Sequence, residues 1–228
     1  HHMEPRVYPS GDVKLASQTM TNYRQWEEDQ MAAGIPKSLN GAWTAMGPVG
    51  NPANGGAGRI NFIRFDPTNS TTFWVGAPDG GLWKTTNGGT SYTTNTDQLT
   101  VIGCSDVAID PTNNQIMYLA TGDSDGGDTY SVGVLKSTNG GTTWNTTGLT
   151  WTVNQGRTIS RILVNPTNPQ IVMAFASNGI WRSTNGGTTW AQPTGTFNGI
   201  KDAEFKPGDP NTVYAAGTSF RRSTDGGA

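Results

Sequence analysis

The chain has 228 residues, a formal net charge of −2, and 14% charged residues beside 31 glycines. That balance gives no basic surface for nucleic acid, and no apolar run approaches the ~20 residues of a membrane span. The two histidines are residues 1 and 2, and His1-His2-Met3 reads as a purification-tag remnant with a natural leader expected upstream. A Ser-His-Asp triad, a His-based metal site and a His general base then have no histidine to draw on.

Residues 1–12 read as the tag remnant and a lead-in. Asp12 is an N-cap for a helix over 13–33, with an apolar stripe of Leu15, Met20, Tyr23, Trp26 and Met31, and Gly34 and Pro36 as stop signals. This helix and its linker fill 13–40, and Tyr23 and Trp26 are expected to pack on the flank of the β domain that begins near residue 58. Residues 41–57 then read as an outer strand, Gly41-Ala42-Trp43-Thr44-Ala45-Met46-Gly47, and a loop rich in Gly, Pro and Asn.

From residue 58 two phrases alternate. Apolar runs close on Asp66-Pro67-Thr68-Asn69, Asp110-Pro111-Thr112-Asn113, Asn165-Pro166-Thr167-Asn168 and Lys206-Pro207-Gly208-Asp209. Proline cannot donate to a ladder and Asx beside it favours a turn, so each phrase ends one strand and a second β run comes after it. The other phrase is Ser/Thr-Thr-Asn/Asp-Gly-Gly, anchored at Thr85, Ser137, Ser183 and Ser223, with steps of 52, 46 and 40 residues. Asn-Gly and Asp-Gly favour the φ > 0 pair of a hairpin turn. One period is therefore strand A, Pro turn, strand B, loop, strand C, hairpin, strand D. Four antiparallel strands recurring at such a period make a propeller blade. The expected fold is all-β, a β-propeller of four-stranded antiparallel blades over 58–228 with one N-terminal helix. Its four repeats (58–97, 101–148, 156–194, 198–228) are expected to belong to a larger ring, and the last should have strands A to C and no D.

The hairpin phrase, followed in three copies by an aromatic (Tyr92, Trp144, Trp190), resembles the Asp-box or BNR repeat of sialidases, sortilin-type receptors and xyloglucan-cleaving endoglucanases. Over about 58–228 the phrasing also resembles the N-terminal propellers of large secreted Bacteroidetes proteins exported by the type nine system, usually labelled glycosyl hydrolase-like. The resemblance implies a secreted or cell-surface protein. It also implies a box on the face away from any site, making Thr85, Asn87, Gly89, Ser137, Asn139, Gly141, Ser183, Asn185, Gly187, Ser223, Asp225 and Gly227 structural.

Strand order divides the rest. A–B turns and C–D hairpins share one face, and the more variable B–C loops and D–A connections share the other, where function is expected. The longest B–C loop runs Gly122-Asp123-Ser124-Asp125-Gly126-Gly127-Asp128-Thr129-Tyr130. Asp123, Asp125 and Asp128 there would suit Ca²⁺, although a solvated acidic loop or a glycan edge with Tyr130 as platform fits the same residues. Its G-x-S-x-G around Ser124 lies between strands, with no histidine to activate it. Cys104 aligns with Ile60, Ile159 and Ile200 as a core residue. Aligned inner strands put Phe62, Asp106, Arg161 and Asp202 at one position, read as lining a central funnel. Asp106 and Asp202 are the carboxylate pair if the chain is a glycosidase, a chemistry that needs two. Arg59, Arg157 and Arg161 are candidates for an anionic sugar or a peptide carboxylate, and Trp151 for stacking on sugar. The expected core is Ile63, Phe65, Val107, Ile109, Ile162, Val164 and Phe205, backed by Leu82, Trp83, Val134, Ile180 and Trp181.

The leading functional expectation is a secreted, non-catalytic propeller that binds glycan or protein through the B–C and D–A face. The alternatives are an Asp-box glycoside hydrolase acting on polysaccharide, and a purely structural module of a surface protein. Residues 41–47 are expected to pair with the strand C of a final blade, supplied either by further blades of a longer chain or by exchange between two chains.

Overall fold

A computed structural model describes residues 58–228 except 127–128 and 194–196, together with Thr21, Arg24, Gln25, Trp26, Glu28, Asp29 and Ala32. The chain divides into two units, His1–Val49 and Gly50–Ala228. The described residues of the first are helical, within the span where the sequence predicts a helix. The strand expected over 41–47 lies outside the described residues.

The second unit holds four antiparallel sheets in chain order. Blade 1 is β1 (Phe62–Phe65), β2 (Phe73–Ala77), β3 (Gly81–Thr85) and β4 (Thr93–Thr94). Blade 2 is β5 (Cys104–Ile109), β6 (Met117–Thr121), β7 (Gly133–Ser137) and β8 (Asn145–Thr150). Blade 3 is β9 (Ile159–Val164), β10 (Val172–Ala176) and β11 (Gly179–Ser183), with one bridge between Arg182 and Ala191 standing for strand D. Blade 4 is β12 (Ile200–Lys206), β13 (Asp209–Gly217) and β14 (Phe220–Ser223).

Side-chain oxygens close the two turn types. At the Pro turns Asp66, Asp110 and Asn165 accept the N–H groups of Thr68, Thr112 and Thr167 at 2.8, 2.8 and 3.0 Å. At the hairpins the hydroxyls of Thr85, Ser137, Ser183 and Ser223 accept the N–H of the second glycine at 2.9–3.0 Å, and each donates to the Asn or Asp two residues on. Those backbone groups are satisfied within each turn, and the N–H of the first hairpin glycine donates to a carbonyl of the A–B turn of the same blade at 2.7–3.0 Å.

The core lies between blades. Phe62, Trp74 and Leu82 of blade 1 pack with Cys104, Val107, Met117 and Leu119 of blade 2. Tyr118 and Val134 meet Ile162 and Val172, and Met173 and Phe175 meet Phe205 and Val213. Cross-strand register gives each blade two faces. The forward face carries a large side chain beside a cation: Trp74↔Lys84, Tyr118↔Lys136, Met173↔Arg182, Tyr214↔Arg222. In blades 1 to 3 that cation reaches the first hairpin glycine of the next blade. Lys84 Nζ donates to the Gly140 carbonyl at 3.2 Å, Lys136 Nζ to Gly186 at 2.8 Å and Arg182 Nε to Gly226 at 3.0 Å.

The fold corrects part of the expected core. Val107, Ile162, Phe205, Leu82 and Val134 are buried as read, and Ile109, Val164, Ile180 and Trp181 are half-buried. Ile63, Phe65 and Trp83, however, are 52%, 58% and 39% exposed, and Ile60 is exposed with them. In blade 1 they occupy the rear face, opposite the one that meets blade 2, so alternation alone assigned them the wrong environment. The inner-strand position read as funnel-lining is also different: Phe62 is core, Asp106 is buried, and Arg161 reaches back to blade 2.

Candidate functional site

The B–C loop of blade 2 is built around Asp123, whose side chain is fully buried. Its carboxylate accepts the N–H groups of Asp125 at 3.1 Å and Gly126 at 2.9 Å, Arg59 Nη2 at 2.6 Å and Asn61 Nδ2 at 3.3 Å. Burial by itself would raise this acid; the N–H bonds and the Arg59 charge outweigh it and hold the carboxyl below its usual range. Arg59 also lies 3.5 Å from the exposed Asp125. Asp123 is thus a keystone that turns the loop, and Asp128 lies outside the described residues. Among the described residues no group of three His, Cys, Asp or Glu side chains is placed to hold a metal ion.

The anchored loop delivers Tyr130, 46% exposed, to the B–C/D–A face. Ser131 N–H then donates to the Arg157 carbonyl at 2.7 Å, which ties the loop to the connection between blades 2 and 3. In that connection Trp151 N–H bonds the Val132 carbonyl at 3.0 Å, and a 3₁₀ turn, Val153–Gln155, comes next. Gln155 stiffens the turn by accepting the Thr152 N–H at 2.9 Å. The chain reverses at Gly156, where a Cβ would stand 3.9 Å from the Tyr130 ring.

Two of the sequence-predicted residues therefore meet, and a third stands near their connection. The Arg157 guanidinium lies over the Trp151 ring, 5.6 Å from its centroid, and the Tyr130 ring is next to Gly156, the residue before Arg157. Arg157 Nε is buried without a hydrogen-bond partner, and the side chain forms no ion pair among the described residues. Trp181, read from sequence as blade packing, is half-buried and meets Trp151 edge-on at 6.4 Å, with its N–H on Asn178 Oδ1. Trp151 also lines a groove of about 460 Å³ together with Leu99, Thr100, Val132, Thr152 and Val153. The groove needs the D–A connection of blade 1 beside that of blade 2, a pairing with no sequence signal.

The other predicted residues fall elsewhere. Asp106, 1% exposed, sits in a chain of charges across the inner strands. It is 2.7 Å from Arg64 of blade 1 and 3.1 Å from Arg161 of blade 3, which is itself 3.1 Å from Asp202 and 2.6 Å from Glu204 of blade 4. Burial pushes the Asp106 carboxyl well above the usual range, and the Ile162 and Val107 N–H groups pull against it, as the two guanidiniums also must. Asp202 is 74% exposed. A cavity of about 370 Å³ lined by Arg64, Arg161 and Glu204 runs toward the Pro turns, away from the loop face. Cys104 is core, its thiol pushed up to about 12 by burial.

The fold and this loop face define a β-propeller segment with an aromatic and cationic surface. Among solved structures it is similar to the GH74 enzyme of Niastella koreensis, at 27% identity and TM-score 0.59, covering 78% of this chain and 30% of that one. It is also similar to the GH74 xyloglucanase of Xanthomonas campestris, at 20% identity and TM-score 0.60, covering 75% and 29%. An ancestral GH74 enzyme aligns at 22% identity and TM-score 0.58, covering 75% and 23%. The chain thus spans less than a third of the length of each. No protein-family model matches the chain, and no curated protein matches it.

Proposed function

We propose that this chain is an Asp-box propeller segment of a secreted or cell-surface protein that recognises polysaccharide through its B–C and D–A loops without cleaving it. One observation carries the reading: the Arg157 guanidinium lies over Trp151 with its Nε lacking a hydrogen-bond partner, and exposed Tyr130 stands next to Gly156, the residue before that arginine. Aromatic faces accept the C–H faces of sugar rings, and a guanidinium binds hydroxyls or a carboxylate in bidentate fashion. The neighbouring groove, which Trp151 also lines, offers room for further contacts to a glycan. Xyloglucan, named for the Xanthomonas relative, is a reasonable first neutral ligand.

The alternative is hydrolysis by Asp106 and Asp202. The enclosure of Asp106 by two arginines and two backbone N–H groups speaks against it, since no oxygen is left for a glycosidic bond. Calcium has no part in the proposal, because both Asp123 oxygens are engaged within the protein.

Calorimetric titration with xyloglucan and with a uronic-acid polysaccharide, run beside a reducing-sugar assay, tests both readings. Saturable binding without turnover is expected, weakened about tenfold in Tyr130→Ala or Trp151→Ala, the loss of one good stacking contact. Turnover that disappears in Asp106→Asn would replace recognition by catalysis. Binding untouched by either aromatic variant would move the site elsewhere.

A further inference from the structure

Blades 2 and 3 and the connection between them carry four basic side chains, and three of these bond protein oxygens. Lys136 and Arg182 reach hairpin carbonyls of the next blade, and Arg161 reaches Asp106 and Glu204. Arg157, in the connection, has no such partner among the described residues. Its Nε is enclosed, and the side chain as a whole is half-buried. Arg59 on the same face differs, since its guanidinium holds Asp123 at 2.6 Å and lies 3.5 Å from Asp125. A partly dehydrated guanidinium with no counter-charge gains most from an ionised acceptor, because bonds to an ionised oxygen are roughly twice as strong as bonds to a neutral one.

The guanidinium is also held in one orientation. It lies over the Trp151 ring at 5.6 Å, and Trp151 meets Trp181 edge-on at 6.4 Å. The backbone on either side is tied, Trp151 N–H to the Val132 carbonyl and Ser131 N–H to the Arg157 carbonyl. A planar fork fixed in this way suits two oxygens in one plane, the geometry of a carboxylate. With Nε enclosed, the two Nη groups are those that a ligand meets. The hydroxyls of a neutral sugar need no cation, and Thr100, Thr150 and Thr152 along the groove offer them partners of their own kind.

We infer that the glycan is acidic, and that Arg157 selects it by taking the carboxylate of a uronic acid unit end-on through both Nη groups. The inference rests on glycan recognition by the loop face and narrows it to a charged polymer. Xyloglucan, which carries no charge, would then be a poor ligand.

Calorimetric titration of the full chain with polygalacturonate, with its methyl ester and with xyloglucan tests this. Polygalacturonate should bind at least about tenfold more tightly than either uncharged polymer, as expected from one charge-assisted pair. Arg157→Gln should bring the affinity ratio of polygalacturonate to ester close to one. Arg157→Lys, a point charge in place of the fork, should retain part of the preference. Lys206→Gln, an equal loss of charge at an exposed Pro turn on the opposite face, should leave the ratio as it is. Far-ultraviolet spectra establish that the variants are folded, and the wild-type ratio needs no variant. Uncharged polymers that bind as tightly as polygalacturonate overturn the inference and leave glycan recognition standing. A preference that survives Arg157→Gln overturns it as well, since the carboxylate is then read elsewhere. Binding of none of the three overturns both the inference and the recognition it rests on.

Discussion

Gly187 carries two constraints at once, a φ of +87° and a neighbour: a Cβ there would stand 3.2 Å from Tyr118 Cε1 of the preceding blade. Gly88 has a φ of +67° and nothing within 4 Å of the same position. Gly88→Ala should therefore cost about 1 kcal/mol, for backbone conformation alone. Gly187→Ala should cost about 2–4 kcal/mol, because overpacking against Tyr118 adds to the strain. Urea unfolding of the two variants checks this; equal losses would mean that the Tyr118 contact is immaterial. The turn chemistry of these glycines was legible in sequence, since Asn-Gly-Gly favours positive φ at both glycines. The fate of Asp123 was not. Three acids on a Gly-rich loop suggest a cation, yet Arg59, 64 positions earlier, occupies the carboxylate.

At the scale of elements, the blades are joined by side chains that interrupt an otherwise apolar contact. Lys136 Nζ lies over the Tyr118 ring at 5.2 Å and bonds the Gly186 carbonyl. Burial lowers the pKa of this ammonium, and the charge of Asp110 works against that fall. Lys136→Met keeps most of the stem packing and deletes the bond, so it should cost about 1–2 kcal/mol, with Lys136→Arg costing clearly less. Thermal melting of both variants tests the expectation, and a neutral Met variant would show that the latch contributes nothing. A basic residue directly precedes the Ser/Thr anchor in all four phrases, so the sequence held the signal. Its partner lies 50 positions away for Lys136, in the next repeat, and periodicity within a strand does not point there.

For the whole molecule, Asp106 is where three blades depend on one side chain. Asp106→Ala would leave Arg64 and Arg161 facing each other without their shared carboxylate, and should cost about 3–5 kcal/mol. Asp106→Asn, which retains hydrogen bonding, should cost less. Polysaccharide binding measured on the folded Asn variant should be unchanged, because the Tyr130, Trp151 and Arg157 surface is built from other residues. A folded Asn variant that loses binding would tie the inner strands to the site. The approach of the Tyr130 loop to the Trp151 and Arg157 connection was partly legible, since strand order alone puts B–C loops and D–A connections on one face. The enclosure of Asp106 was not, because it depends on Arg64 and Arg161 arriving from the blades on either side.

The sequence by itself determined the blade: its order of strands and turns, both turn types, the fourfold repeat and the face on which loops vary. These rest on local chemistry, on proline lacking an N–H, glycine tolerating positive φ and Ser/Thr or Asx oxygens capping nearby backbone groups. Only the tertiary structure decided which face of each blade is covered. Ile63 and Phe65 alternate like core residues and are exposed, whereas Asp106 reads as a site acid and is buried. The physical reason is that a blade is amphipathic on neither side: both of its faces are dry only when another blade lies against them, and that is a property of neighbours rather than of the strand.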